Sequence, residues 1–115
     1  MHAALRQAYE LEMTEAARAG AANEFGAAFS HLERAHVLGQ RNTFAHVRAH
    51  CVMLRLARTR RDSREVRGQI GRIIGAALFT WLWVPDGNTG GANVSAFRRM
   101  EIAPDLRRIL DGEQE

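Results

Sequence analysis

The stretch HLERAHVLGQRNTFAHVRAHCVML, residues 31–54, predicts the end of one helix, a short turn and the start of a second helix. Gly39 closes the first helix, because glycine often follows a helix end. Asn42 or Thr43 opens the second, because both residue types cap helix N-termini. Four of the five histidines of the chain lie here, at positions 31, 36, 46 and 50. The stretch therefore predicts a helical hairpin with histidines on both of its arms.

Working outward from this hairpin, the sequence predicts helices over residues 2–19, 22–38, 42–60 and 63–83. DSRE at 62–65 is typical of a capping box, and Pro85 ends the last of these helices. No window shows the apolar and polar alternation of a strand. The predicted fold is all-α, with four main helices forming two stacked helical hairpins, as in a bundle or a short helical-repeat unit.

Residues 85–115 differ in character, because their first half contains Gly87, Gly90 and Gly91 with Asn88 and Asn93. We expect a glycine-rich loop that wraps over the helices, anchored by Phe97 and Met100, and then a short helix with Pro104 in its first turn. A chain of 115 residues supports one hydrophobic core. The prediction is therefore a single helical domain, 1–115, with its helical core in 1–84.

Charge and composition narrow the classes of function. The formal net charge is +3, and arginines gather between residues 55 and 72. No aromatic residues interleave with them, so nucleic-acid binding is disfavoured. The apolar run 73–84 is too short to span a membrane, and no signal-peptide pattern is seen. The single cysteine, Cys51, fits a reducing cytoplasm and is expected to be a small buried hydrophobe.

Helical phase sorts the histidines, since each residue advances about 100° around the axis. His36 falls among the apolar residues Phe29 and Leu32, and His46 and His50 fall within or beside the apolar stripe of the next helix. His31 lies outside these stripes and is predicted to be at the surface. The sequence thus predicts three inward-facing histidines from two helices.

Two carboxylates could join them. Glu12 lies within the apolar stripe of the first helix, where an unpaired carboxylate is costly. Glu33 and His36 are spaced i, i+3, as ligands are in carboxylate-bridged metal bundles. His46 and His50 are spaced i, i+4, which lets both rings reach one ion. The predicted metal ligands are His36, His46, His50 and Glu12, with Glu33 in reserve.

Imidazole and carboxylate ligands suit zinc, iron, manganese, nickel or copper, and the sequence does not choose among these divalent transition metals. Gln40 or Tyr9 is expected to orient an imidazole. An alternative interpretation is a structural or pH-responsive histidine cluster. Enzymatic activity stays open, because no nucleophile and base can be paired, although a metal with an open position could support hydrolytic or oxygen chemistry.

A second class of function is a helical protein-interaction module. The predicted core stripe of the fourth helix consists of Val66, Ile70, Ile73, Ala77 and Trp81. Phe79 and Trp83 point away from that stripe, so the C-terminal loop or a second copy of the chain is expected to cover them. The alternative function is therefore an interaction module that forms a homodimer through Phe79 and Trp83.

The segments HLERAHVLGQRNTFAHVRAH and VPDGNTGGANVSAFRRMEIAPDL together resemble an uncharacterised family of short bacterial proteins, a domain of unknown function. The resemblance runs from about Tyr9 to Leu110. The chain differs from the family pattern at Arg99, where the family has proline, and at Cys51, where it has an aromatic residue. The resemblance implies a bacterial domain and brings no activity, so the functional hypothesis depends on the histidines.

Overall fold

The computed structural model describes residues 1–112, and within them it contains helices, turns and one long loop but no strand. Residues 113–115, which end the predicted C-terminal segment, lie outside the described part. The predicted all-α fold is confirmed. In chain order the helices are α1 (Ala3–Ala21), α2 (Phe25–Gly39), α3 (Thr43–Arg60), α4 (Ser63–Phe79) and α5 (Pro104–Leu110).

The helices pack as the predicted hairpins, α1 against α2 and α3 against α4, with α2 and α3 joining the two. Polar side chains cap the starts of α3 and α4. Asn42 Oδ1 accepts the Ala45 amide at 3.0 Å, and Asp62 Oδ1 accepts the Glu65 amide at 3.1 Å. Each such cap contributes about 1 kcal/mol. The Glu65 carboxylate does not complete a capping box; it accepts the Ala92 amide and so fixes the loop.

The core lies mainly between the first hairpin, α3 and α5. Its largest side chains, Tyr9, Leu32, Met53 and Leu106, are buried. The Tyr9 hydroxyl donates to the Ala45 carbonyl at 2.8 Å, so its one polar atom is satisfied. Burying side chains of this size stabilises a fold by about 1.5–3 kcal/mol each. This core holds α2 and α3 in the relation that the histidines require.

The turn between α2 and α3 depends on the small size of Gly39. A Cβ atom at this position would lie 2.8 Å from Tyr9 Cε2 and 2.9 Å from Ala45 Cβ. Such distances are well inside van der Waals contact, so a side chain here would push the three helices apart. Gly39 therefore lets α1, α2 and the start of α3 converge immediately beside the histidine-bearing segments.

The fourth helix differs from its prediction in length and in orientation. It ends at Phe79 and not at residue 83. The predicted core stripe is also wrong, because Ile70 is 48% exposed and Trp81 is 73% exposed. The side chains that α4 buries are Gln69 and Ala76. Among the described helices α4 packs chiefly on α3, so one face of it remains uncovered.

Polar contacts hold much of the long loop after α4, and of its two predicted apolar anchors Met100 is half-buried. Phe97 was predicted to anchor it but is 78% exposed. The Asn88 amide instead donates to the carbonyls of Ser95 and Arg98, both at 2.7 Å. Gln40 on the α2–α3 turn donates to the Pro85 carbonyl at 2.8 Å and accepts the Gly87 amide at 3.1 Å. The loop is thereby fixed against the end of α2.

The structure describes the helices of residues 1–112. None of the helices described there combines the length and the apolar character needed to cross a bilayer.

Candidate metal centre

Two helices bring three histidines together inside the protein. His36 lies in the last turn of α2, and His46 and His50 lie one turn apart at the start of α3. All three side chains are buried, with His36 and His50 each 2% exposed. The tight turn at Gly39 sets the two helices so that the rings face each other. The predicted convergence of these three histidines is confirmed.

The three rings meet through their Nε2 atoms. His36 Nε2 lies 3.0 Å from His46 Nε2 and 3.1 Å from His50 Nε2. The ligand atoms of all three lie within 4.8 Å of one another. Ring centroids are 4.6–4.9 Å apart, and His36 stands edge-on to both of the others. The nitrogens therefore point at a common centre, and the rings are not stacked face to face.

Hydrogen bonds at the opposite ring nitrogen settle which nitrogen carries the proton. His36 Nδ1 lies 2.8 Å from the backbone carbonyl of Asn88. A carbonyl oxygen can only accept, so the Nδ1 of His36 is the donor. Asn88 is itself 1% exposed, and its Oδ1 accepts the Gly90 amide at 2.9 Å. The loop carbonyl that orients His36 is thus held rigidly.

His46 is oriented by Thr80. Its Nδ1 lies 2.8 Å from Thr80 Oγ1. The Thr80 hydroxyl donates its own proton to the Ala76 carbonyl at 2.6 Å. With that proton used, Thr80 Oγ1 is left as an acceptor, and the Nδ1 of His46 must donate.

His50 is oriented by Gln69, which is 0% exposed. The Gln69 amide nitrogen donates to Glu65 Oε1 at 2.7 Å and to the Gly90 carbonyl at 2.9 Å. Because two oxygens fix the nitrogen end of this amide, its Oε1 faces His50 Nδ1 at 2.6 Å and accepts from it. All three rings therefore carry their proton on Nδ1.

The consequence is a cluster of nitrogen lone pairs. A neutral imidazole protonated on Nδ1 presents a bare lone pair at Nε2. The Nε2 of His36 therefore faces two other acceptors, at 3.0 and 3.1 Å, with no proton between them. Burial, followed by the charges of the neighbouring imidazoles, lowers the pKa of His36 well below its usual value. Burial lowers the pKa of His46 to about 4. Burial and then the charge of His46 lower that of His50 to about 3. The rings are neutral near pH 7, when such nitrogens can bind a cation.

The structure does not bring the predicted carboxylates to this cluster. Glu12 Oε2 lies 2.7 Å from His31 Nδ1, and Glu12 Oε1 accepts from Arg34 Nε at 2.8 Å. The inward position of Glu12 is thus explained by an ion pair. His31, predicted at the surface, is partly buried in this contact. Glu33 lies elsewhere, where burial and the charge of Glu65 raise its pKa.

Sequence reasoning missed the residues that orient the rings. Gln69, Thr80 and Asn88 are the hydrogen-bond partners, whereas Gln40 bonds the loop and Tyr9 bonds the α3 backbone. Gln69 lies between Gly68 and Ile70, with arginines at 67 and 72, so no local signal marked its amide as buried. The expectation for Cys51 is also wrong, because this side chain is exposed and lies away from the site.

An open cleft of about 710 Å³ reaches the cluster, and the three histidines form part of its wall. Its other walls come from α4 and from the segment that follows this helix. The apolar side chains of the cleft include Phe79, Leu82, Trp83, Val84 and Phe97. A cation held by the histidines would therefore be reachable from solvent by a small molecule.

Comparison with known proteins agrees with the resemblance seen in the two sequence segments. A family model described as "Protein of unknown function (DUF3703)" matches residues 3–110. The chain belongs to this family. The match covers α1 through α5, so the three histidines and their hydrogen-bond partners lie inside the family domain. No curated protein and no solved structure is significantly similar to the chain.

Proposed function

We propose that the protein binds a divalent transition metal through Nε2 of His36, His46 and His50. The supporting observation is that each Nδ1 is committed to a fixed acceptor, which leaves three lone pairs aimed at one another. Buried acceptors facing each other without a donor are unfavourable, and a cation between them relieves the repulsion. Metal-bound histidines commonly donate their other ring nitrogen to an oxygen, which is the arrangement seen at all three rings.

The spacing of the ring nitrogens suits a metal. Ligands about 2.0 Å from a tetrahedral zinc ion lie about 3.3 Å from each other. The two short separations here, 3.0 and 3.1 Å, are close to that value, so small ring rotations suffice. Zinc, iron, manganese, nickel and copper all accept imidazole ligands, and the metal is one of this group.

Three protein ligands leave at least one coordination position for a water or another molecule. Since Glu12 is paired with Arg34, we do not assign it as the fourth ligand. An open coordination position is typical of catalytic metal sites, whereas structural sites use four protein ligands. A protein that carries or stores a metal can also use three ligands and an open position. The proposed role is metal handling or a metal-dependent activity. A cytoplasmic location and a bacterial origin stay predictions from the sequence.

Elemental analysis of protein purified without a histidine tag tests the proposal. We expect about one equivalent of metal after incubation with zinc or cobalt and desalting. His36→Ala, His46→Ala and His50→Ala should each retain less than about a tenth of an equivalent. His31→Ala is the matched control, because this ring pairs with Glu12 away from the cluster, and it should retain the full equivalent.

Because a buried alanine substitution can unfold the protein, the wild-type chain is also tested by thermal denaturation. Added metal should raise its Tm, since a ligand that binds only the folded state stabilises it. Absence of stoichiometric metal together with an unchanged Tm would overturn the proposal. Retention of the metal by all three alanine variants would refute these ligands.

Homodimerisation is a second candidate, favoured by the uncovered face of α4. Ile70, Ile74 and Leu78 are spaced i, i+4 and i+8, so they form one exposed apolar stripe. Phe79 and Trp83, the residues predicted for the contact, are exposed beside it. We propose that a second copy of the chain covers this face, because contiguous exposed apolar surface usually marks a contact.

A further inference from the structure

The cleft over the three histidines has one sign of charge. Arg67 and Arg72 line it, and no aspartate or glutamate is among its lining residues within the described part of the chain. A divalent metal on the neutral imidazoles would add two positive charges. Low-dielectric walls lined by one sign of charge focus the field on a ligand of the opposite sign. The cleft with its metal is therefore suited to an anion.

Arg72 places part of that charge close to the histidines. Its guanidinium donates to the carbonyls of Gly68 at 3.2 Å and Val94 at 2.7 Å, which fixes its position. Its Nε is buried and has no hydrogen-bond partner among the described residues. Arg72 and the three histidines line the same cleft. The fixed guanidinium, with one unpaired nitrogen, is thus part of the cleft wall that the histidines share.

The other polar side chains of the cleft offer few free hydrogen-bonding groups. Both ends of the Gln40 amide bond the loop, and the Thr80 hydroxyl is used twice. The Asn88 amide is fully occupied by loop atoms. Recognition of a head group in the cleft therefore falls to the metal and the two arginines. A carboxylate has two oxygens, which a metal and an arginine can satisfy.

The remaining surface of the cleft is apolar and roomy. Aromatic and aliphatic side chains form the walls, and Gly71 and Gly75 lie on the α4 side. A Cβ atom added at either glycine would meet no atom within 4 Å, so space remains there. A volume of about 710 Å³ falls within the range of about 300–1,000 Å³ that is typical of small-molecule sites.

Given the proposed metal site, we infer that its ligand is a small amphipathic carboxylate: the carboxylate binds the metal beside the arginines and the apolar tail lies along the cleft. The metal and the arginines bind the carboxylate head group. The apolar side chains of the cleft, such as Phe79 and Phe97, contact the tail. A ligand of this class would occupy the open coordination position of the metal.

Cobalt-substituted protein provides the test, because the visible absorption of cobalt reports a change of its ligands. The spectrum is titrated with octanoate, with acetate, which keeps the head group, and with octan-1-ol, which keeps the tail. Octanoate should bind at least about tenfold more tightly than acetate, since several buried methylenes each add about 0.8 kcal/mol. Octan-1-ol should leave the spectrum unchanged.

Two variants test separately the positive charge of the cleft and the room that it has for an apolar tail. Arg67→Gln, at an exposed position, should weaken octanoate several-fold without weakening cobalt binding, and Arg64→Gln on the same helix is its control. Gly75→Leu fills open space in the cleft and should abolish the preference for octanoate over acetate while cobalt still binds.

The outcomes distinguish this inference from the metal site itself. Cobalt binding with no response to octanoate overturns the carboxylate ligand and leaves the metal site intact. Equal affinity for octanoate and acetate, or an unchanged preference in Gly75→Leu, overturns the role of the apolar cleft. A failure of cobalt to bind overturns the metal site and the ligand together.

Discussion

At the scale of single residues, the geometry of the site depends on the hydrogen-bond partners that orient the three histidine rings. An imidazole can present either nitrogen, and here one carbonyl, one hydroxyl and one amide oxygen decide which nitrogen faces inward. Gly90 links two of these contacts. Its amide bonds Asn88, and its carbonyl accepts from Gln69, so one residue joins the partners of His36 and His50.

Gly90→Ala should damage the site strongly. Gly90 has a φ of +85°, and a Cβ atom there would lie 2.6 Å from the His36 ring. Backbone strain alone costs an alanine about 1–2 kcal/mol in this region, and the ring must also move. We expect metal affinity to fall by about tenfold or more, as for other losses of support around metal ligands. Competition with a chromogenic chelator measures it.

Gly26→Ala is the matched control for that substitution. Gly26 lies in the first turn of α2, and a Cβ atom there would meet nothing within 4 Å. Alanine should therefore leave metal affinity unchanged and stabilise the helix by up to about 1 kcal/mol. Equal effects of the two substitutions on metal binding would contradict the role assigned to the loop.

At the scale of elements, α4 serves the site with its polar face and exposes its apolar one. Gln69, Arg72 and Thr80 face the histidines or the loop. To orient His46 and His50, α4 must turn its polar groups towards the protein interior. Ile70 and Ile74 therefore lie on the solvent-exposed face of the helix. This division explains why hydrophobic periodicity assigned the wrong face of α4 to the core.

Ile74→Glu should disrupt the homodimer. Ile74 is 57% exposed in the middle of the apolar stripe of α4, so a charge there leaves the folded monomer intact and opposes burial in a contact. Light scattering coupled to size exclusion should show a dimer for the wild type and a monomer for the variant. Leu11→Glu, at a 62% exposed position of α1, should remain dimeric. A monomeric wild-type protein at high micromolar concentration would contradict dimerisation.

At the scale of the whole molecule, the buried imidazoles link stability to pH. In the unfolded chain each imidazole has a pKa of about 6.5. Folding lowers the pKa of His46 to about 4 and that of His50 to about 3. Between these values and 6.5 the unfolded chain binds more protons than the folded chain, so stability rises with pH. The full stability is present above about pH 6.5 and is lost on acidification towards the folded-state values.

Metal-free protein should therefore be less stable at mildly acidic pH. His46 alone accounts for a loss on the order of 2 kcal/mol between about pH 7.5 and about pH 5. Urea denaturation at the two pH values in the presence of a chelator measures the free energy of unfolding. Equal stability at the two pH values would contradict buried, neutral imidazoles in the folded protein.

The sequence by itself determined the local features of this protein. Apolar periodicity, caps and glycines predicted all five helices, including the first-turn position of Pro104, because these signals act within a few residues. Helical phase also selected His36, His46 and His50, since a residue's direction within one helix follows from its position in the turn.

Only the tertiary structure decided the contacts between elements. Glu12, like the three histidines, is on the inward side of its helix by helical phase. Its height along α1, however, places its carboxylate beside Arg34 and not beside the histidine cluster. Gln69, Thr80 and Asn88 come from α4 and the loop, and their partners are 19, 34 and 52 residues away in the sequence. Phase gives a side chain's direction around its own helix, whereas the relative height and rotation of packed helices decide which atoms meet there.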